Sequence, residues 1–287
     1  MKIILSTEST SDLGEKLIKE NDVHVVAYPV LLGENQYSDG INIDGPKIFD
    51  YVAEKGILPK TSAINEFSFE EYFRDLLKEG DAVIHISLSS GISSTYNNAV
   101  NVANEDEFKG KVAVINSKSL SSGLALLVLY ARKLIDQGLS LEEIQRKVEK
   151  RVPYVQASFV INTTEYLYKG GRCSGVARFA AAILRLKPQI IVENGLMHPG
   201  KKYTGRNSQV IAKYCKDTLE QFPNPDKEVV FITHSHATQE MVDAARKCLE
   251  EYGFKNIYET FAGATISSHC GPKTLGILYI NDGGVKE

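Results

Sequence analysis

Short β-branched runs alternate with helix-length segments along almost the whole chain, and this rhythm restricts the fold more than any other feature. KIILS is followed by DLGEKLIKEN and then VHVVAYPVLL, and further runs recur as DAVIHIS, KVAVINS, ASFVINT, PQIIVEN, EVVFITH and LGILYIN. Such alternation predicts an α/β fold with a largely parallel sheet, because parallel neighbours need a crossover long enough to hold a helix. KIILS and VAVIN are apolar at consecutive positions, the pattern of strands covered on both faces. SLSSGLALLVLYARKLIDQG is apolar almost all round until Arg132, which predicts a helix buried between layers, whereas LSLEEIQRKVEKRVP is amphipathic and stopped at Pro153. Past Arg151–Val155 the rhythm changes, and GLMHPGKKYTG reads as a turn and a short strand of a mixed sheet. With 287 residues the chain exceeds the usual size of a single core. The expectation is two α/β domains: residues 1–155 with a mostly parallel sheet flanked by helices, and residues 156–287 with a mixed sheet.

Composition removes several function classes. Thirty-three Lys and Arg stand against thirty-six Asp and Glu, a formal net charge of −3, and no basic stripe is present, so nucleic acid is not an expected partner. The opening MKIILSTEST holds an apolar run of three residues, too short for a secretory signal, and no run approaches the ~18 apolar residues of a membrane helix. A cytoplasmic protein without stable membrane insertion is expected. Cys173, Cys215, Cys248 and Cys270 are far apart with no CxxC pair, which reads as reduced, mostly buried thiols and not as a metal or redox centre.

Polar loops rich in Ser and Thr follow three of the expected strands: STESTSD, SLSSGISST and SKSLSSG. The carboxyl edge of an open parallel sheet is where ligands bind. In SLSSGISST, Ser87 to Thr95, six of nine residues carry a hydroxyl. One or two serve as caps for the following helix, and the excess points to an anion held by hydroxyls and helix N–H groups. The stretch lacks the second glycine and the lysine of a phosphate loop, and no G-x-G-x-x-G follows a strand, so a smaller anion or a covalent acyl group remains. The acyl alternative is a serine acyl-hydrolase: GISST approaches the nucleophile elbow G-x-S-x-G with Ser93 as nucleophile and His234 or His269 as base, although Thr95 stands where the elbow has glycine. His234 and His236 are spaced to share one face of a strand, but no further ligand at a telling spacing completes a metal site.

TESTSDL at 7–13, KTSAI at 60–64, SSGISSTYNNA at 89–99, YLYKGGR at 166–172 and HCGPKTLGI at 269–277 together resemble the DegV family, the bacterial fatty-acid-binding proteins of the FakB type. The resemblance runs in order over nearly the whole chain. It implies a two-domain α/β carrier that encloses one long-chain fatty acid between the domains and presents the carboxylate to a separate fatty acid kinase, which forms an acyl-phosphate for phospholipid synthesis. The carrier is implied to have no catalytic activity of its own and no cofactor. The family's carboxylate-binding positions fall on Thr61 and Ser93, with Ser62, Ser94 and Thr95 beside them, and the family histidine falls on His269. Arg172 falls in the region associated with kinase docking. The chain departs from the family pattern at Glu8, where D-S-x-x-D-L is common, at Ser94 in place of glycine, and at Tyr203-Thr204, where Arg-Thr is common and Arg206 follows two residues later.

Hydroxyl donors suit a lone carboxylate, because they hold one negative charge without burying a fixed lysine beside an acyl chain. The apolar segments GLALLVLYARKLI and VARFAAAILRL, the latter with the small residues Ala180, Ala181 and Ala182, are candidates to line the acyl tunnel, with ordinary helix core as the alternative for each residue. His269 is open to three readings: a ligand to the carboxylate, a group that orients such a ligand, or a core histidine. Around the glycines of YLYKGGR, helix capping accounts for Lys169 but not for Arg172, nor for Arg206 in KKYTGRN, which makes these two arginines the expected partner-docking cations.

Overall fold

The computed structural model describes residues 1–173 and 186–284. The expected tunnel segment VARFAAAILRL, with Ala180–Ala182, lies outside the described residues apart from its last, Leu186. The first part of the chain runs β1 (Ile3–Glu8), α1 (Glu15–Glu20), β2 (Val23–Val26), β3 (Pro29–Leu32), β4 (Asn35–Ser38), α2 (Gly45–Lys55), β5 (Lys60–Thr61), α3 (Glu66–Glu79), β6 (Ala82–Ser87), α4 (Thr95–Ala103) and β7 (Val112–Asn116). Two helices, α5 (Ser122–Asp136) and α6 (Leu141–Arg151), lead to β8 (Val155–Val160) and α7 (Glu165–Gly170). The remainder is β9 (Lys187–Glu193), β10 (Leu196–Tyr203), α8 (Asn207–Gln221), β11 (Val229–Ser235), α9 (Gln239–Tyr252), β12 (Asn256–Phe261), α10 (Ala264–Cys270) and β13 (Thr274–Ile280).

A parallel sheet in the order β2-β1-β6-β7 is built from the first part, with Ile3 beside Ala82 and Thr7 beside Ile86. A mixed sheet in the order β10-β9-β8-β13-β11-β12 is built from the rest, antiparallel throughout except between β11 and β12. The fold is therefore α/β with a parallel and a mixed sheet. Helix α5 packs on β1 and β6 of the first sheet and on β8, β11 and β13 of the second. That explains its unbroken apolar run: Leu124, Ala125, Leu127 and Val128 are all buried because each side of the helix meets a sheet. One core cluster accordingly joins Ile84 and Leu127 to Phe159, Phe231 and Leu278, while α8 and α9 cover the outer face of the mixed sheet through residues such as Tyr214, Val242 and Leu249.

Local chemistry fixes several boundaries. Helix α6 opens on a capping box in which the Ser140 hydroxyl accepts from the Glu143 N–H and the Glu143 carboxylate from the Ser140 N–H. VHVVAYPVLL, expected to be one strand, is two strands in different sheets. β2 belongs to the parallel sheet, and Pro29, which has no N–H to donate, begins β3 of a small antiparallel sheet ordered β4-β3-β5. GLMHPGKKYTG carries an eight-residue strand instead of a short one, with its register shifted between Pro199 and Lys202. Among the described residues no helix is long and apolar enough to cross a membrane.

Candidate functional site

The polar loops after β6 and β7 face the mixed sheet and border a cavity with about 840 Å³ of space between atoms, its open mouth included, within the range of small-molecule sites, about 300–1,000 Å³. Leu88, Ile92, Leu120, Phe159, Leu167, Met197, Ile266 and Leu278 form its apolar wall. The two sides are in close contact: the Ser89 hydroxyl donates to the Gly195 carbonyl at 2.7 Å, and a Cβ on Gly91 would lie 2.6 Å from that same oxygen. Only glycine permits this approach.

Two hydroxyls at the cavity are set up as hydrogen-bond donors. Thr95 Oγ1 accepts from the Ile64 N–H at 3.1 Å and from Tyr28 Oη at 2.7 Å, which leaves its own proton for Ser93 Oγ, 3.0 Å away. Ser93 Oγ also receives the Thr95 N–H at 3.3 Å, so its acceptor capacity is used inside the protein and its proton is free to point at a ligand. Burial, reinforced by the charge of Glu8, pushes the Tyr28 phenol well above its ordinary value, and the group stays protonated as the head of this chain. Thr61 Oγ1 stands 2.8 Å from His269 Nε2. The other ring nitrogen, Nδ1, is buried without a partner. Because an orphaned N–H costs more than an orphaned lone pair, the pattern assigns the proton to Nε2, which donates to Thr61 and releases the threonine proton toward the cavity. Burial, with Arg172 as a second cause, lowers His269 from 6.5 to about 4, so the ring is neutral near pH 7.

Thr61, Ser62, Ser93 and His269, expected near the carboxylate, border this cavity, and so does Arg172, expected on a partner-docking surface. The 2.8 Å contact between His269 and Thr61 is the one that the second of its three readings, a group that orients a carboxylate ligand, calls for. Ser94 is exposed at the start of α4 with no side-chain cap bond, and Thr95 is buried behind Ser93. Arg172 is exposed at the cavity mouth, its Nη1 donating to the Gly170 carbonyl at 2.6 Å, whereas exposed Arg206 precedes α8 and does not border the cavity. The remaining hydroxyls of SLSSGISST also have structural work: Ser87 donates to the Glu8 carboxylate and Ser90 accepts from the Asn116 amide at 2.7 Å. His234 and His236 do not share a strand face, because β11 ends at Ser235 and His236 turns away at φ 53° onto Phe49, while His234 faces Glu259 and Phe261. Among the described residues no histidine hydrogen-bonds to Ser93, so the Ser–His contact of a nucleophile elbow is not formed. The helix α5 residues, candidates for tunnel lining with ordinary core as the alternative, are core between the sheets, outside the cavity wall.

Other contributors are not visible in the motifs. A Cβ on Gly170 would stand 2.7 Å from His269 Nδ1, so the first glycine of KGG gives the histidine room while the second, Gly171, ends α7 at φ 70°. Helix α10, which carries His269, is held by two buried carboxylates from the first part of the chain. Asp39 accepts from the Ala264 N–H at 2.7 Å and the Thr265 N–H at 3.1 Å, and Asp12 accepts from the Gly263 N–H at 2.8 Å and from the Ser121 hydroxyl.

Burial raises the Asp12 carboxyl from 3.8 to about 8, against the pull of its two donors and with Asp39 adding to the rise. Above its unfolded value the native state therefore keeps a proton that the unfolded chain has lost, and stability falls with pH until about 8. His269 acts oppositely between about 4 and 6.5, where the unfolded chain binds the extra proton, so the two slopes cancel there. The net fall is expected from about pH 6.5 to 8, at up to about 1.4 kcal/mol per pH unit. Thermal unfolding followed across this range should show the decline in the wild type and a flatter profile in Asp12→Asn; equal slopes would remove Asp12 as its source.

Comparison with known proteins places this geometry. A DegV protein of Thermus thermophilus whose structure is described for its fatty acid binding superposes with a TM-score of 0.89 at 29% identity, over 98% of this chain and all of that one. A stearic-acid-binding protein of Eubacterium ventriosum superposes with a TM-score of 0.85 at 26% identity, over 98% of each chain. A DegV domain-containing protein of Caldanaerobacter subterraneus subsp. tengcongensis is 32% identical over 280 residues, 97% of this chain and 98% of its own. The family model described as "Uncharacterised protein, DegV family" matches residues 2–282, a span that takes in both sheets, the loops at the cavity and the Thr61, Ser93 and His269 positions, and on this ground the chain belongs to the DegV family.

Proposed function

We propose that this protein is a cytoplasmic carrier that binds one long-chain fatty acid in the cavity and presents its carboxylate to a fatty acid kinase for acyl-phosphate formation, with no catalysis of its own. The observation that carries the reading is the pair of hydroxyls directed at the cavity, Ser93 and Thr61, beside its apolar wall. Two neutral donors match a carboxylate and leave its oxygens nucleophilic toward a phosphoryl group, while the fatty acids bound by relatives of the same fold support the ligand class. The tail supplies most of the affinity: at ~0.8 kcal/mol per buried methylene, about fourteen methylenes give roughly 11 kcal/mol before ordering costs. In this reading the head-group donors orient the acid, and the chain divides into domains at 155/156, with the ligand between them.

Arg172, exposed at the mouth, is the cation that would meet the kinase, with Arg206 as a more distant contributor. Rim charges speed encounter and fix orientation more than they add affinity. In a coupled assay with a bacterial fatty acid kinase and ATP, Arg172→Glu is expected to bind hexadecanoic acid and unfold as the wild type does, while acyl-phosphate formation drops severalfold and loses the salt sensitivity of the wild type. Loss of lipid binding in this variant would place Arg172 on the ligand, and full coupling would move docking to another surface.

A further inference from the structure

Thr265 borders the cavity and is 4% exposed, and its hydroxyl has no hydrogen-bond partner in the protein. Other buried hydroxyls on the same stretch of wall are paired: Ser121 with Asp12, Thr233 with Ser122 and Thr260, Ser235 with Ser267, and Thr274 with the Cys270 carbonyl. A buried hydroxyl left unpaired costs about 1–3 kcal/mol, so one aligned on a ligand wall asks for a partner on the ligand. Its position narrows what that partner is. Thr265 and His269 are four residues apart on α10 and share one face, so Thr265 stands one helical turn, about 5.4 Å, from the residue that orients the Thr61 donor. The Thr265 N–H is fixed by Asp39 at 3.1 Å, which holds the side chain's anchor in place.

We infer that Thr265 is a specificity residue for an oxygen substituent on the acyl chain, a hydroxyl a few carbons from the carboxylate, so that the cavity accepts a hydroxylated fatty acid at least as well as the plain one. This rests on the carboxylate lying at Thr61 and Ser93 as proposed above. An unsubstituted chain passes the Thr265 hydroxyl without satisfying it; a chain hydroxyl at the right carbon both donates and accepts there, and its own desolvation is repaid.

The test uses delipidated full-length protein, hexadecanoic acid, and monohydroxylated hexadecanoic acids with the hydroxyl moved stepwise from the carbon beside the carboxyl toward the tail. The wild type should bind one of the isomers hydroxylated near the head as tightly as hexadecanoic acid or more so. Thr265→Val, nearly isosteric, should lose about tenfold for that isomer with hexadecanoic acid changed less than twofold, and Thr265→Ser should restore the preference. If every hydroxylated acid binds the wild type far more weakly than hexadecanoic acid, or if Thr265→Val changes all ligands equally, the inference is overturned while the carrier reading stands. If hexadecanoic acid itself does not bind, both fall.

Discussion

Asp39→Ala is expected to cost about 3 kcal/mol or more of stability and to impair ligand binding in the fraction that remains folded. The carboxylate, 2% exposed, accepts from the Ala264 and Thr265 N–H groups and from the Ser9 hydroxyl at 3.1 Å. Removing it strands two buried N–H groups, each costing about 1–3 kcal/mol when unpaired, and the half-buried Ser9 hydroxyl. The damage falls on α10, whose other side is packed so closely on α2 that a Cβ at Gly45 would lie 2.8 Å from Ser267 Oγ. A helix released at its start no longer holds His269 against Thr61, and one of the two directed donors is lost. Chemical denaturation would measure the first effect and fatty acid titration below the unfolding transition the second. A stability change under 1 kcal/mol would show that water replaces the carboxylate and that α10 does not depend on it.

The sequence carried the sheets because burial on both faces writes itself as unbroken apolar runs: KIILS, AVIHI and VAVIN are strands β1, β6 and β7. It carried α5 for the same reason. It did not carry β12 or the short β4 and β5, whose residues are half-exposed or few and leave no period to read. Nor did it separate β2 from β3, since the break at Tyr28 is set by tertiary partners: its N–H goes to Ser9 Oγ at 3.0 Å and its phenol to Thr95.

At the cavity, the excess of hydroxyls in SLSSGISST marked a loop that borders it but not the division of labour within that loop. Ser93 borders the cavity, Thr95 and Tyr28 direct its proton, and Ser87 and Ser89 hold the loops together. That division depends on which way each Cβ points after the chain leaves β6, which no spacing rule encodes. The carboxylates under α10 were hidden differently. Asp12 and Asp39 are more than two hundred residues from the helix they hold, and acidic residues in polar loops read as solvated surface until the partner helix is seen.

The central claim is that Thr61 and Ser93 hold the carboxylate of a long-chain fatty acid. Each hydrogen bond to a charged group contributes about 1.5–3 kcal/mol, so Thr61→Val and Ser93→Ala should each weaken binding roughly ten- to a hundredfold. The two donors are fed by separate chains, His269 on one side and Tyr28 with Thr95 on the other, so the double variant should lose at least a hundredfold while keeping the wild-type fold. Native mass spectrometry of protein purified from bacterial cells reads this directly. The folded wild type is expected to carry the mass of one long-chain fatty acid and the equally folded double variant to be largely empty; a wild type that stays empty even after incubation with hexadecanoic acid, or a double variant that retains the lipid as fully as the wild type, would contradict a carboxylate held by Thr61 and Ser93.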